Sequence, residues 1–159
     1  MRAAVLTVSD GVAAGERDDR SGDLLVELLE ADGYEVSRRV AADDRDVIAA
    51  AVLELCESAQ LVLTTGGTGL GPRDVTPEAT AQVLDRPAPG IAEAIRADAV
   101  VKTPHGLLSR GVAGVRESTL VVNLPGSTGG CRDGYAVIRP ALEHALSLLA
   151  GAETAHRQT

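Results

Sequence analysis

The chain has 159 residues and a formal net charge of −8 at pH 7. A domain of this length buries roughly 70% of its unfolded surface, so a full core is within reach. The acidic balance and the absence of Phe and Trp argue against a nucleic-acid or anionic-membrane partner. Phosphate backbones call for an excess of Lys and Arg, and unstacked bases call for aromatic platforms. Hydrophobic residues make up 45% of the chain, yet no apolar run reaches the roughly 18 residues of a transmembrane helix. The opening apolar run is short and reads as a strand rather than a signal segment. Cys56 and Cys131 lie far apart without a CxxC pattern and read as free thiols. The expectation is one soluble, acidic, cytoplasmic globular domain over residues 1–150, with a disordered tail over 151–159.

Residues 2–9, RAAVLTVS, form a short run of small and branched side chains and read as a buried strand. The polar stretch DGVAAGERDDRSG follows as a long loop. Leu24, Leu25, Leu28 and Leu29 then make a helical stripe, with Ser21 as candidate N-cap and Gly33 as the C-terminal stop. Residues 34–40 alternate and read as a second strand. Val47, Ile48, Ala51, Val52 and Leu55 share one face of the next helix, capped by Asp43 or Asp44. Residues 60–65 are the third strand. It runs into TTGGTGLGPRDVTPEAT, where a helix restarts with Thr76 as cap and Pro77 at its first position. Glu78 and, one helix later, Glu93 sit early in their helices, where negative charge suits the dipole. PGIAEAIRADAVVK is a further amphipathic helix, and HGLLSRGVAGVRES breaks into glycine-punctuated pieces. Residues 119–124 are a fourth strand, PGSTGGCRDG is a second glycine-rich loop, and AVIRPALEHALSLLAG is a last helix weakened by Pro140.

This alternation predicts a single α/β domain, doubly wound, with a mainly parallel sheet and helices on both faces. Ligands of such sheets bind outside the carboxyl ends of the strands. The loops leaving those ends are residues 9–21, 41–44, 66–76 and 123–130, and they hold the glycines, the Asp clusters and the Ser/Thr residues. The opposite connections, 31–33 and 58–60, are short and plain.

Gly66, Gly67, Thr68 and Gly69 lack large side chains, so backbone N–H groups can approach an anion, with the Thr65 and Thr68 hydroxyls beside them. Neither common nucleotide fingerprint is present: no Lys follows as in a P-loop, and the G-x-G-x-x-G spacing is not met. A sharp structural turn is the plain alternative. The second loop, NLPGSTGG, leaves another strand with similar chemistry and favours a phosphate cradle. Asp74 and one of Asp43 and Asp44 lie on the same edge, and two carboxylates suit Mg²⁺. The rival roles are helix capping for Asp43 and Asp44, and for Asp74 a turn residue paired to Arg73. His105, His144 and His156 are scattered without ligand spacing, and Cys131 has no His near it in sequence. GERDDRSG reads as a solvated loop, although Arg17, Arg20 and Ser21 sit on the same edge.

Taken in order, TVSDG, DDRSG, TTGGTGLGPRDVTPEAT, PG, LSRGVAG and NLPGS resemble the MoaB/Mog family of molybdenum cofactor biosynthesis proteins, over about residues 3–150. The resemblance implies a doubly wound fold, a homotrimer, Mg²⁺, ATP as co-substrate and molybdopterin as substrate. It implies the reaction molybdopterin + ATP → adenylyl-molybdopterin + pyrophosphate, with hand-over to a molybdenum-inserting enzyme. It also implies nucleotide and pterin-phosphate contacts at Ser9, Asp10, Thr65, Gly66, Gly67, Thr68 and Gly69. Pterin contacts are implied at Asn123, Pro125, Gly126 and Ser127, and a catalytic, Mg²⁺-holding pair at Asp74 and Asp43. This chain departs from the family pattern at Gly11, where Arg is usual, and at Ala42 and Thr128, where Pro is usual. Two other readings stand beside the enzyme: a non-catalytic molybdopterin-binding paralogue, and a nucleotide-binding regulator without pterin affinity.

Overall fold

The computed structural model describes residues 1–151, so all but the first residue of the expected tail lies outside the described residues. In chain order the elements are β1 (Arg2–Val8), α1 (Asp10–Ala13), α2 (Arg20–Ala31), β2 (Glu35–Ala41), α3 (Arg45–Cys56), β3 (Leu61–Thr65) and α4 (Thr76–Val83). They continue with β4 (Arg86–Pro87), α5 (Pro89–Lys102), a 3₁₀ turn (Pro104–Leu108), β5 (Ala113–Arg116), β6 (Thr119–Leu124) and α6 (Thr128–Leu149). The strands form one sheet in the order β2-β1-β3-β6-β5-β4. The first four are parallel, and β5 and β4 complete one edge antiparallel.

Alternate side chains of the central strands feed two cores, as the pleat requires. Ala3, Val5, Leu61, Leu63, Leu120 and Val122 face α2, α5 and α6, where Leu25, Ile95, Ile138 and Leu142 meet them. Ala4, Leu6, Val62 and Val121 face the other way, onto Ile48, Val52 and Leu55 of α3 and Ala79 and Val83 of α4. The result is a three-layer α/β/α domain, as the alternation of elements predicts. Aliphatic packing between flat layers explains how a chain without Phe or Trp closes its core.

Register places the four parallel strand ends on one edge: Val8 pairs with Ala41, Thr7 with Thr65, and Thr65 with Leu124. Strand order switches between β1 and β3, because β2 continues to one side and β6 to the other. The glycine loop leaves β3 at that switch point.

Several local expectations change. Asp19, not Ser21, caps α2, its carboxylate accepting the Gly22 N–H at 3.0 Å, while Ser21 is buried against Thr65. Residues 10–13 of the expected long loop form α1. Val47 lies exposed rather than on the buried face of α3. Thr76 is the first residue of α4 and does not cap it; its hydroxyl goes to the glycine loop instead. The second glycine loop is shorter than expected, because α6 already starts at Thr128 and continues through Pro140. Gly134 lets it pack tightly, since a Cβ there would meet Leu124 Cδ2 at 2.8 Å. Strands β4 and β5 escape the sequence pattern. The β5–β6 hairpin turns through Glu117 and Ser118, with Glu117 at φ 52°, where Asn-Gly is the usual signal.

Candidate functional site

The glycine loop opens with two residues in left-handed conformations, Gly66 at φ 98° and Gly67 at φ 65°. A side chain at Gly66 would collide with the Val8 carbonyl at the end of β1, so glycine is required there twice over. Beyond this point four successive carbonyls are bonded to the protein. Gly66 O accepts the Thr76 hydroxyl at 2.9 Å, and Gly67 O accepts the Thr76 N–H at 3.1 Å. Thr68 O accepts the Arg110 N–H at 2.8 Å, and Gly69 O accepts Arg110 Nε at 2.8 Å. All peptide bonds here are trans, and in a trans peptide the C=O and the following N–H point to opposite sides. The N–H groups of Gly67, Thr68, Gly69 and Leu70 therefore face away from these anchors, and none has an acceptor among the described residues. Consecutive unpaired amides of this kind form an anion-attracting concavity.

A second donor set lies alongside. Ser127 caps α6, accepting the Gly130 N–H at 3.1 Å, while the Thr128 and Gly129 N–H groups have no acceptor among the described residues. The positive end of a 22-residue helix thus faces the same space. A Cβ at Gly126 would lie 3.3 Å from Gly66 Cα, so the two loops touch. Together with α5 and the 3₁₀ turn they line a cleft of about 710 Å³ that includes Gly67, Thr68, Gly69, Asp74, Pro125 and Ser127. Lys102 stands on the far wall between Asp98 (2.7 Å) and Asp133 (3.2 Å), which hold its ammonium charged by raising its pKa.

The carboxylates are sorted by their partners. Asp74 lines the cleft; its Oδ2 accepts the Gly71 N–H at 2.9 Å, and its Oδ1 has no donor among the described residues. Arg73 does not pair with Asp74. It reaches Asp10 at 2.6 and 3.1 Å and the Asp43 carbonyl at 3.1 Å. Asp44 caps α3 through the Val47 N–H at 3.0 Å, which leaves Asp43 free of that role. Asp43 and Asp10 bond reciprocally, Asp10 N–H to Asp43 Oδ2 at 2.8 Å and Asp43 N–H to Asp10 Oδ1 at 2.9 Å. Asp43 Oδ1 has no donor among the described residues and lies 3.3 Å from where a Gly67 Cβ would be. Each of Asp43 and Asp74 thus has one anchored and one free oxygen beside the glycine loop. That suits Mg²⁺, which takes one or two protein carboxylates and leaves the rest to water and phosphate. Among the described residues no cluster of three or more His, Cys, Asp or Glu exists to hold a metal by protein alone.

Four expected contact residues are spent on structure. Thr65 is fully buried, its hydroxyl donating to the Pro125 carbonyl at 2.8 Å, bonded to the Ser21 hydroxyl at 3.0 Å and touching Cys131 Sγ. Ser9 caps α1 through the Val12 N–H, and Asp10 latches its loop to Arg73 and Asp43. Neither lines the cleft, and Asp43 borders the glycine loop from outside the lining residues. Asn123 is buried under the glycine loop. Its amide donates to the Thr64 and Thr80 hydroxyls at 2.9 and 3.0 Å and its oxygen accepts the Val112 N–H at 3.1 Å. It ties β3, α4 and the approach to β5 together. Cys131 is likewise buried, its thiol pushed up to about 11 by desolvation. Sequence reasoning used LSRGVAG but gave its Arg110 no role, because the carbonyl partners at Gly69 and Asp74 lie 41 and 36 positions upstream.

Fold and loops define an open α/β domain that presents a run of unpaired amides at a sheet switch point. Over residues 4–144 the chain matches the family described as "probable molybdopterin binding domain". The structure is similar to that of the molybdopterin biosynthesis enzyme MoaB from Thermus thermophilus, with a TM-score of 0.88 and 45% identity, covering 94% of this chain and 96% of that one. A molybdopterin adenylyltransferase from Helicobacter pylori is 36% identical, covering 92% of this chain and 86% of the relative. A molybdenum cofactor biosynthesis bifunctional protein from Synechococcus elongatus is 39% identical over 95% of this chain, which spans only 48% of that relative's length. The chain belongs to the MoaB/Mog family, the molybdopterin-binding domain family of molybdenum cofactor biosynthesis. Among the described residues no helix is long and apolar enough to cross a membrane.

Two predictions follow from this geometry. Replacing Asn123 by Ala strands the Val112 N–H in the interior and should lower the unfolding free energy by about 2–3 kcal/mol in urea titration. A cleft-facing ligand contact would instead alter binding at unchanged stability. The Asp10 carboxyl is held below its ordinary value of 3.8, first by the Arg73 hydrogen bond and then by the Asp43 N–H. A depressed carboxyl stabilises above its unfolded pKa and loses that contribution as pH falls through the folded one. The Asp10–Arg73 latch should therefore stay formed at pH 3.8 and open only below it, read by the side-chain carboxyl ¹³C shift of Asp10.

Proposed function

We propose that the protein is a molybdopterin adenylyltransferase, which transfers AMP from Mg-ATP to the terminal phosphate of molybdopterin and releases pyrophosphate. The observation that carries this reading is the run of four unpaired amides, Gly67 to Leu70, beside the half-free carboxylate of Asp74. The activity is that printed for the 36%-identical Helicobacter relative. A terminal phosphate oxygen of molybdopterin attacks the α-phosphorus of ATP, a P–O bond forms, and the bond to the departing pyrophosphate breaks. The attacking group is already anionic and needs no general base.

In this reading the protein acts by placement and charge, the usual division of labour in phosphoryl-type transfer. The Gly67 to Leu70 amides hold phosphate oxygens without side-chain reorganisation, and the α6 N-terminus with Ser127 and Gly126 receives the second anionic group. Lys102, which also lines the cleft, has its charge taken up by Asp98 and Asp133. Asp74 and Asp43 would hold Mg²⁺, which supplies neutralisation of the phosphate charge when bound. The proposal extends to a cytoplasmic homotrimer that passes its product to a molybdenum-inserting enzyme.

Asp74→Asn keeps the side-chain shape and the Gly71 hydrogen bond but removes the negative charge. It should bind molybdopterin like wild type while ATP-dependent pyrophosphate release falls about hundredfold or more. Wild-type turnover in this variant would remove Asp74 from catalysis. Molybdopterin binding by the wild-type protein with no pyrophosphate release would mark it as a non-catalytic binder, and ATP binding without pterin affinity as a regulator.

A further inference from the structure

We propose that Arg110 is a positioning residue that sets the phosphate-binding shape of the glycine loop, with Glu78 holding its guanidinium in place. The proposal rests on the adenylyl-transfer reading only for the identity of the ligand. Its substance is that the Arg110 side chain fixes the Gly69 carbonyl, and with it the direction of the Leu70 amide, together with the backbone that carries Asp74.

Arg110 follows the 3₁₀ turn and leads toward β5; it lies within LSRGVAG, outside the loops that leave the parallel strand ends. Its backbone N–H donates to Thr68 O at 2.8 Å, its Nε to Gly69 O at 2.8 Å and its Nη2 to Asp74 O at 2.7 Å. Its Nη1 pairs with Glu78 in the first turn of α4. The side chain thus spans the arc from Gly69 to Asp74 and fastens it to a helix, while the backbone N–H holds Thr68. Each of the three loop bonds takes a carbonyl rather than an amide. Through the planar trans peptide, fixing the Thr68 and Gly69 carbonyls turns the Gly69 and Leu70 N–H groups the other way. The bond to the Asp74 carbonyl fixes the backbone from which the Asp74 carboxylate extends. Glycine permits many alternative orientations of these same peptide units, so without Arg110 the loop has no reason to keep this one.

The pairing with Glu78 carries its own cost. Glu78 Oε2 is buried and has no hydrogen-bond partner among the described residues, an arrangement native proteins rarely keep. The Arg110 hydrogen bond outweighs that burial and holds the Glu78 carboxyl below its ordinary value, so the pair is charged at neutral pH. A planar fork suits this task and an ammonium does not, because three acceptors in fixed directions must be met at once.

The test uses the full chain and inorganic pyrophosphate as probe, by calorimetric titration, with thermal unfolding and adenylyl transfer measured on the same samples. Arg139→Gln is the control, since Arg139 makes a comparable two-pronged pair with Asp32 (2.7 and 2.6 Å) away from the cleft. Arg110→Gln should bind pyrophosphate at least about tenfold more weakly than wild type, while its melting temperature falls no further than that of the control. Arg110→Lys should remain closer to Gln than to wild type. Glu78→Gln, which keeps an acceptor for Nη1, should bind within about twofold of wild type, and Glu78→Ala should weaken binding severalfold, a comparison that serves if Arg110→Gln fails to fold. Full affinity in Arg110→Lys would reduce the role to charge, and unchanged affinity in Arg110→Gln or Glu78→Ala would overturn it, as would a wild-type protein that binds no pyrophosphate. A wild-type protein that binds pyrophosphate, loses it on Arg110→Gln and yet transfers no adenylyl group would end the enzyme reading and leave this one standing.

Discussion

The carbonyls of the glycine loop are all turned to one side, and the rest of the site depends on that. Thr76 takes the first two, Arg110 the next two, and the amides of Gly67 to Leu70 have no acceptor among the described residues. The four N–H groups face an open cleft, where water serves them until an anion takes its place. The loop is therefore preorganised for negative charge before any ligand arrives, and the protein need not reorganise when one does.

The sheet makes this constraint possible. Parallel strands in register bring the ends of β1, β2, β3 and β6 to one edge, and the change of strand order between β1 and β3 leaves a gap there. Only a residue without a side chain can turn from β3 past the Val8 carbonyl, and Gly66 does so. The α6 N-terminus enters the same gap from β6, so two donor arrays reach one cleft from neighbouring strands. The reciprocal Asp10–Asp43 bonds and Arg73 stitch the β1 and β2 loops to the glycine loop from the other flank. Residues that look like ligand contacts in the motif, Ser9, Asp10, Thr65 and Asn123, are thereby the frame around those that remain free.

The layered fold was legible because its signals are local and periodic: apolar runs that stop at glycine, and leucines at helical spacing. The edge carrying the loops was legible for the same reason. What stayed hidden is what depends on distance in sequence. Asp43 and Asp44 are equivalent as neighbours, and only the Val47 N–H and the Asp10 loop separate their roles. Asn123 stands in a motif with polar and glycine residues, yet burial by Thr64 and Thr80 makes it a structural tie. Strand β5 has four residues and a Glu-Ser turn, too little for a periodic signal. Arg110 stands in LSRGVAG, yet its role was hidden, since it lies in carbonyls brought to it by the fold.

The most direct measurement is the backbone ¹H–¹⁵N spectrum of the protein titrated with ATP and Mg²⁺. The amides of Gly67, Thr68, Gly69 and Leu70 should move together and downfield as they acquire phosphate acceptors, with Thr128 and Gly129 unaffected until a second anion is added. Shifts confined to other parts of the sheet edge, with those four amides unmoved at saturation, would contradict a phosphate-binding role for the glycine loop.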